Sequence, residues 1–230
     1  MAIKGLLGQI PLFEDLSDAE LDIVAQRVRQ RQYREGATIF HKNDPGVALY
    51  VILKGKIKIH NETPDGPDCI IAFLADGDFF GELAILDGEE RSADATTMAE
   101  TVLLMLTRED LDDILKRYPA ISLRLLTTLA GRLRRTTEAY LAAAALDVNG
   151  RLALQLIRLS EQHGVVTPQG IRIELRLTQT DLGAFVGASR ESVNKVLGYF
   201  RRQGWVQLDE RNRILVRDSA ALGRLAEFTP

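Results

Sequence analysis

Between residues 36 and 88, glycines at positions 36, 46, 55, 66, 77 and 88 put a turn signal every nine to eleven residues, and Gly81 falls between the last two. Short β-rich runs fill the intervals: Thr38-Ile-Phe, Ala48-Leu-Tyr-Val-Ile-Leu, Lys56-Ile-Lys-Ile-His and Cys69-Ile-Ile-Ala-Phe-Leu. Short strands at such regular spacing imply a sandwich or barrel. Lys54-Gly55-Lys56 sits between two of the runs and reads as a hairpin turn. Thr96 to Leu106 supplies the closing strands.

One stretch interrupts the strand pattern. Phe80 to Ala93 offers a glycine (Gly81), a carboxylate (Glu82), and, after a spacer, a guanidinium beside a hydroxyl (Arg91, Ser92). That set suits a small ligand carrying both an anionic group and a sugar hydroxyl. Arginine grips a phosphate through two parallel charge-assisted hydrogen bonds, and Ser92 can add a third contact. Gly81 lets backbone approach closely, and Glu82 can accept from a hydroxyl. The competing reading is a surface loop closed by an Arg–Glu ion pair. Small barrels tend to place ligand cavities at such insertions.

Helices flank the strands. Ser17-Asp-Ala-Glu20 is a capping box, followed by Leu21, Val24, Ala25 and Val28 on one stripe. Thr107 and Asp110 resemble a second box, and Pro119 opens a long helix that can run to about Leu146. On it Leu126, Leu129, Leu133, Thr136, Tyr140 and Ala143 step by three and four, the seam of a two-stranded coiled coil. A helix packed on its own barrel competes with that reading. The adjacent Thr136 and Thr137 can hydrogen-bond a group lying at a helix–helix interface, or bond back to the preceding turn. Asp147 is a good N-cap for the next helix, whose Leu152, Leu156 and Leu159 form a buried stripe ending before Gly164. Ile171 to Leu177 alternates strictly and reads as a strand.

From Thr178 onward the pattern fits a helix-turn-helix, with a generic helical hairpin as the competing reading. Thr178 caps a helix with Asp181 at its third position, Gly183 is small where two helices would cross, and Gly187 supplies the turn. Ser189 caps a second helix whose start exposes Arg190 and Glu191, with Asn194 and Lys195 one turn on. Trp205-Val-Gln-Leu, a polar turn and Arg213-Ile-Leu-Val then read as a hairpin wing. Charge follows the same division. Residues 1–118 hold 13 Lys/Arg against 22 Asp/Glu, a net −9, whereas residues 119–230 hold 16 against 10, a net +6. A basic half joined to an acidic half points the C-terminal part at a polyanion.

These residues resemble the cyclic-AMP receptor protein/FNR family of bacterial transcription regulators across nearly the whole chain. Phe80-Gly-Glu-Leu-Ala with Arg91-Ser-Ala is similar to its phosphate-binding cassette, Arg135-Thr-Thr-Glu138 to the base-contacting step of its dimer helix, and Leu146-Asp-Val-Asn-Gly-Arg151 to its hinge. Gly187-Ala-Ser-Arg-Glu-Ser-Val-Asn-Lys195 is similar to its recognition helix. The resemblance implies an α+β chain: an N-terminal β-barrel (double-stranded β-helix or jelly roll) that binds cyclic nucleotide over 1–118, a long dimerisation helix and hinge over 119–146, and a winged helix-turn-helix domain over 147–230. It implies cyclic AMP as allosteric effector ahead of cyclic GMP. Gly81, Glu82, Leu83, Ala84, Arg91, Ser92 and Ala93 would form the cassette, Thr136 would contact the base from the same subunit, and Thr137 from the partner. In the DNA-binding domain, Arg190 would bond guanine and Glu191 cytosine, with Asn194 and Lys195 beside them. Thr178, Ser189, Arg211 and Arg213 would meet the DNA backbone, and Gln179 would stand where some relatives touch phosphate or base. The implied partners are double-stranded DNA at a palindromic TGTGA-like site, a second copy of the chain, and RNA polymerase. Three positions depart from the best-known members: Lys195 replaces an arginine and lacks its bidentate fork, Gln179 replaces an arginine, and Thr137 replaces a serine.

Other classes fit less of the sequence. Cys69 is the single cysteine, so an internal disulfide and a cysteine-built metal or iron–sulfur site are excluded within one chain. His41, His60 and His163 show no haem motif. An enzyme acting on the same ligand would need metal ligands or a nucleophile–base pair, and the histidines are scattered. With no apolar run of membrane-spanning length and no signal-peptide core, the cytoplasm is the expected compartment and no membrane contact is expected. The remaining alternative is a regulator of the same fold that works without cyclic nucleotide or senses another small ligand. Its cassette would lack the arginine or the glutamate, and both are present.

Overall fold

The structure is a computed structural model that describes residues 3–63 and 66–227. The chain divides into two compact units, Met1–Leu133 and Arg134–Pro230.

The first unit opens with α1 (Ile3–Leu7) and α2 (Asp18–Arg27). The Glu20 carboxylate accepts from the Ser17 backbone N–H at 2.7 Å, as the capping box requires. Eight strands and two short helices follow: β1 (Arg29–Tyr33), β2 (Thr38–Phe40), β3 (Ala48–Lys54), β4 (Ile57–Thr63), β5 (Gly66–Leu74), β6 (Phe79–Phe80), α3 (Leu83–Leu86), β7 (Asp94–Thr97), β8 (Thr101–Thr107) and α4 (Arg108–Arg117). The strands form two antiparallel sheets, ordered β1-β8-β3-β6 and β2-β7-β4-β5. This is a double-sheet jelly roll. Between the sheets lie Ala48, Tyr50, Ile52, Phe80 and Leu103 from the first, against Ile57, Leu74 and Ala95 from the second. The opposite face of the first sheet (Leu49, Val51, Phe79, Leu104, Leu106) packs under Leu21, Val24, Leu111 and Ile114 of the helices. Burial on both faces explains why β3 reads as an unbroken apolar run rather than an alternating one.

The turn at Lys54-Gly55-Lys56 is not a hairpin. Strand β3 pairs with β6 and β8, whereas β4 pairs with β5 and β7, so the chain crosses there from one sheet to the other. Gly55 has φ +125°, and a Cβ on it would lie 2.2 Å from the Thr101 hydroxyl oxygen. A side chain fits neither that backbone angle nor that gap. Spacing alone does not separate the two kinds of turn, because each sheet supplies a well-patterned strand on its own side.

Helix α5 (Pro119–Ala145) begins at the proline and is 27 residues long, about 40 Å. Its apolar positions divide between two faces, one packed on the first unit's core and one exposed. Ile121 and Leu125 are buried in the first unit's core and Leu129 packs against it, while Leu126, Leu133 and Tyr140 are 62–75% exposed. Leu129 therefore belongs to the inner face and not to the outer stripe. Among the described residues, no helix is long and apolar enough to cross a membrane.

The second unit follows α5 with α6 (Val148–His163), β9 (Gly164–Thr167), β10 (Gly170–Ile173), α7 (Gln179–Val186), α8 (Arg190–Arg202), β11 (Val206–Leu208), β12 (Ile214–Val216) and α9 (Ser219–Ala226). Its sheet runs β11-β12-β10-β9, so the wing hairpin is part of a four-stranded layer. Leu152, Leu156, Leu159, Ile173, Leu182, Val193, Phe200 and Leu222 are buried in this unit. The strand expected over Ile171–Leu177 ends at Ile173. Leu175 is nonetheless 1% exposed, so alternation there records burial after the chain has left the ladder. Helix α9 carries no strong stripe in sequence. It is capped by Asp218, whose carboxylate accepts from the Ala221 N–H at 2.8 Å. Gly150 on α6 makes room for it, since a Cβ there would lie 2.7 Å from the Leu225 carbonyl oxygen.

Candidate functional site

In the first unit the cassette begins where β6 ends. Gly81 takes φ +76°, Glu82 starts the single turn of α3, and Gly88 takes φ +83° at its exit. The chain then returns to the sheet through Arg91, whose backbone N–H donates to the Asp44 carbonyl and whose carbonyl accepts from Asn43, both at 2.9 Å. Ala84 is buried against Gly46, where a Cβ would lie 2.4 Å from the Ala84 Cβ. The Ala84 carbonyl accepts from Arg108 Nη2 at 2.6 Å. Leu83 and Ser92 face outward, and Ala93 is buried at the start of β7.

This path carries Arg91 inward. Its side chain is 3% exposed. Nη1 donates to the Gly81 carbonyl at 2.6 Å and Nη2 to the Ala48 carbonyl at 2.7 Å. The guanidinium lies 4.2 Å from the Phe40 ring centroid and 5.8 Å from that of Tyr50, an attractive stacking geometry for a cation. Its Nε has no hydrogen-bond partner. Burial pulls the Arg91 pKa below the ordinary arginine value, opposed by Tyr50, Glu82 and Asp44. A Cβ on Gly81 would lie 2.6 Å from Arg91 Nη1, so glycine is what admits the guanidinium here.

Glu82 is 4% exposed and pairs with an arginine, but not with Arg91. Its Oε1 accepts from Arg132 Nη1 of α5 at 2.7 Å. Arg132 Nη2 also donates to the Phe79 carbonyl, and the guanidinium lies 4.7 Å from the Phe79 ring centroid. Sequence reading missed Arg132; its one signal is a place on the long helix one turn before Thr136. The structure thus brings Gly81, Glu82 and Arg91 together in a buried cradle. An orphan Nε–H, a buried cation and a glycine-lined approach fit an anionic ligand, which would compete with the Gly81 and Ala48 carbonyls for the fork. Thr136 and Thr137 are exposed on the part of α5 that belongs to the second unit.

In the second unit, the Thr178 N–H donates to the Asp181 carboxylate at 2.9 Å and the Thr178 hydroxyl accepts from the Asp181 N–H at 3.0 Å, which fixes the start of α7. Gly187 adopts φ 65°, ψ 49° at its end. A Cβ on Gly183 would lie 2.6 Å from the Ala188 carbonyl oxygen, so the bare α7 backbone lets the turn fold tightly against it. The Ser189 hydroxyl accepts from the Ser192 N–H at 3.1 Å and starts α8. That helix buries Val193, Val196, Leu197 and Phe200 and exposes Arg190, Glu191, Asn194 and Lys195. Gln179 donates to the Asn194 side-chain oxygen at 3.1 Å, tying α7 to α8. Arg211 is exposed at the wing tip. Arg213 instead pairs with Asp209 at 2.8 Å and Glu174 at 2.7 Å, so its fork fastens the wing to the residue that follows β10. The Asp209 hydrogen bond, with Glu174 beside it, raises the Arg213 pKa above its ordinary value. Arg151 donates from Nε to the Val186 carbonyl and from Nη1 to the Leu146 carbonyl, both at 2.8 Å.

Residues 30–118 match the family model of the cyclic nucleotide-binding domain, and residues 150–225 that of the Crp-like helix-turn-helix domain. The two together define a cyclic-nucleotide-responsive, DNA-binding transcription regulator, not an enzyme. The CRP-like cAMP-activated global transcriptional regulator of Mycobacterium tuberculosis is 34% identical over 221 residues, 96% of this chain and 98% of its own. The crystal structure of the catabolite activator protein of Thermus thermophilus, 33% identical, covers 94% of this chain and 98% of its own with a TM-score of 0.54. CLP of Xanthomonas campestris, a c-di-GMP responsive global regulator, shares the fold at a TM-score of 0.74 and 23% identity, over 88% of this chain and 100% of its own. The chain belongs to the cyclic-AMP receptor protein/FNR family of transcription regulators.

Proposed function

We propose that this protein is a homodimeric regulator whose affinity for a palindromic TGTGA-like site is set by cyclic AMP bound at the Phe80–Ala93 cassette. The observation that carries the reading is that an arginine and a glutamate are both buried beside Gly81, Arg91 at 3% and Glu82 at 4% exposure. Arg91, helped by Ser92 and by backbone N–H groups near Gly81 and Ala93, takes the cyclic phosphate. Glu82 accepts from the ribose 2′-hydroxyl, with Leu83 and Ala84 shaping the turn, and Thr136 and the partner's Thr137 meet the base. The exposed stripe of Leu126, Leu133 and Tyr140 recurs every seven residues and supports a second copy of the chain as the partner of α5. Polymerase contact and a cytoplasmic location come with the family resemblance.

The alternative is a regulator tuned to another ligand, or to none. It draws support from the protein partners that both cassette side chains already have, Gly81 and Ala48 carbonyls for Arg91 and Arg132 for Glu82. Calorimetry on wild-type protein separates the two. Saturable heat with cyclic AMP and a weaker response to cyclic GMP are expected, together with DNA affinity that rises when cyclic AMP is added. No heat from either nucleotide, with full DNA affinity in their absence, would sink the ligand assignment.

For the DNA half, Arg190 forks onto guanine O6 and N7 and Glu191 accepts from cytosine N4, each worth about 1–3 kcal/mol of discrimination. Lys195 contributes charge without a fork. Thr178, Gln179, Ser189 and Arg211 approach phosphates, and Arg213 adds its field from the base of the wing. Glu191→Ala is therefore expected to relax preference at one base step per half-site by roughly 5- to 150-fold. Competition binding against duplexes substituted at each half-site position measures it, and an unchanged profile counts against this readout.

A further inference from the structure

The charged cluster that the cassette and the reading face of α8 leave unused lies at the other end of that helix. Arg201 and Arg202 in the last turn of α8, Gly204 after it, Gln207 on β11 and Arg217 after β12 line an open groove of about 650 Å³, with Gly198 on its helical side. All three guanidinium groups are exposed. None is in an ion pair with a carboxylate among the described residues. The nearest acid in sequence, Asp218, has its carboxylate engaged in capping α9. Arg213 and Arg172, by contrast, each have Glu174 within 2.7 Å. Three arginines converging on one concavity without a counter-charge repel one another and attract an anion.

We infer that this groove is a second DNA-backbone site, which takes phosphates of the duplex flanking the bases read by Arg190 and Glu191. The inference rests on α8 entering the major groove by its N-terminal end. Arg201 stands eleven residues beyond Arg190 on α8, about 16 Å along the helix axis. The major groove is about 8.5 Å deep. The arginines therefore stand above the rim of the groove, and flanking phosphates reach them where the duplex beyond the half-site curves toward the domain. Guanidinium forks suit phosphate oxygens. The floor suits close approach of a backbone, because a Cβ on Gly204 would meet nothing within 4 Å and one on Gly198 would meet only Arg202 Nη1, at 3.5 Å. An acidic protein surface is the poorer match. Val206, the one apolar side chain in the lining, is 2% exposed, so the groove offers no apolar anchor of the kind protein interfaces are built on.

The test uses two duplexes with inverted TGTGA half-sites, one ending at the half-sites and one extended by about one helical turn, 10 base pairs, at each end. Affinities are measured across a salt series, with cyclic AMP present, for wild type and for the Arg201→Gln/Arg202→Gln/Arg217→Gln variant. Wild type is expected to bind the extended duplex more tightly and with a steeper salt slope. The variant is expected to lose that gain, its slope on the long duplex falling by about 0.9 per phosphate contact removed, while its preference for the site over a scrambled short duplex stays the same. A variant that keeps the full gain overturns the inference. So does one that binds both duplexes like wild type but no longer stimulates transcription, which would give the groove to a protein partner. Wild type that does not distinguish TGTGA from scrambled sequence overturns the reading of α8 instead, and the groove is then judged by the length dependence alone.

Discussion

Arg91→Gln is expected to abolish the calorimetric response to cyclic AMP at concentrations that saturate wild type, and with it the cyclic-AMP-dependent gain in DNA affinity. The magnitude follows from the fork. Two charge-assisted hydrogen bonds to a phosphate are worth about 1.5–3 kcal/mol each. Losing both weakens binding by about 100-fold or more. The fold is expected to survive. Glutamine can still donate to either the Gly81 or the Ala48 carbonyl, leaving one buried acceptor unpaired at about 1–3 kcal/mol. The core between the sheets, from Tyr50 and Phe80 to Leu103, is untouched. A melting curve shifted by a few degrees beside a flat titration is the expected pair of results. Arg91→Lys keeps the charge without the fork and should fall between. Because the wild-type guanidinium already bonds two carbonyls, the measured affinity is a net exchange, smaller than the sum of the phosphate contacts. A titration of Arg91→Gln that matches wild type would remove Arg91 from the site.

What the sequence made legible was mostly local chemistry. Each capping pair acts within one turn, so Ser17 with Glu20, Thr107 with Asp110 and Thr178 with Asp181 could be found by spacing, and all three start helices. Gly187 was legible because a left-handed residue between two capped helices has few substitutes. Residues acting across long sequence distances were not. Arg132 meets Glu82 over 50 positions, and nothing in the cassette motif announces it. The crossing at Gly55 looked like a hairpin because what decides it, the approach of Thr101, lies 46 residues on. The cassette itself was read as either a ligand site or an ion-paired loop. An ion pair does form, but it joins Glu82 to α5 rather than to Arg91.

Arg151→Met is expected to give a large loss of stability in the second unit. The wild-type guanidinium donates at 2.8 Å to the Leu146 carbonyl, just past the end of α5, and at 2.8 Å to the Val186 carbonyl, at the end of α7, with a longer 3.4 Å approach to Gly187. Both carbonyls are terminal acceptors that their own helices leave unbonded, and both helix ends carry partial negative charge that a cation offsets. One side chain thus ties the segment before α6 to the turn that launches α8. Methionine keeps most of the volume and removes the donors. Two charge-assisted bonds together put the expected loss at about 3 kcal/mol, or roughly 10–20 °C in the melting of a unit this size. Arg151→Lys can reach one carbonyl and should recover part of it. The effect on function separates positioning from mere destabilisation. At a temperature where the variant is fully folded, cyclic AMP should still give its heat, because the cassette lies in the first unit. Site-specific DNA affinity should nonetheless fall with an unchanged salt slope, since the phosphate contacts remain and the alignment of Arg190 and Glu191 has loosened. Equal melting and equal DNA affinity in Arg151→Met would show that the segment before α6 and the turn between α7 and α8 are held by other contacts.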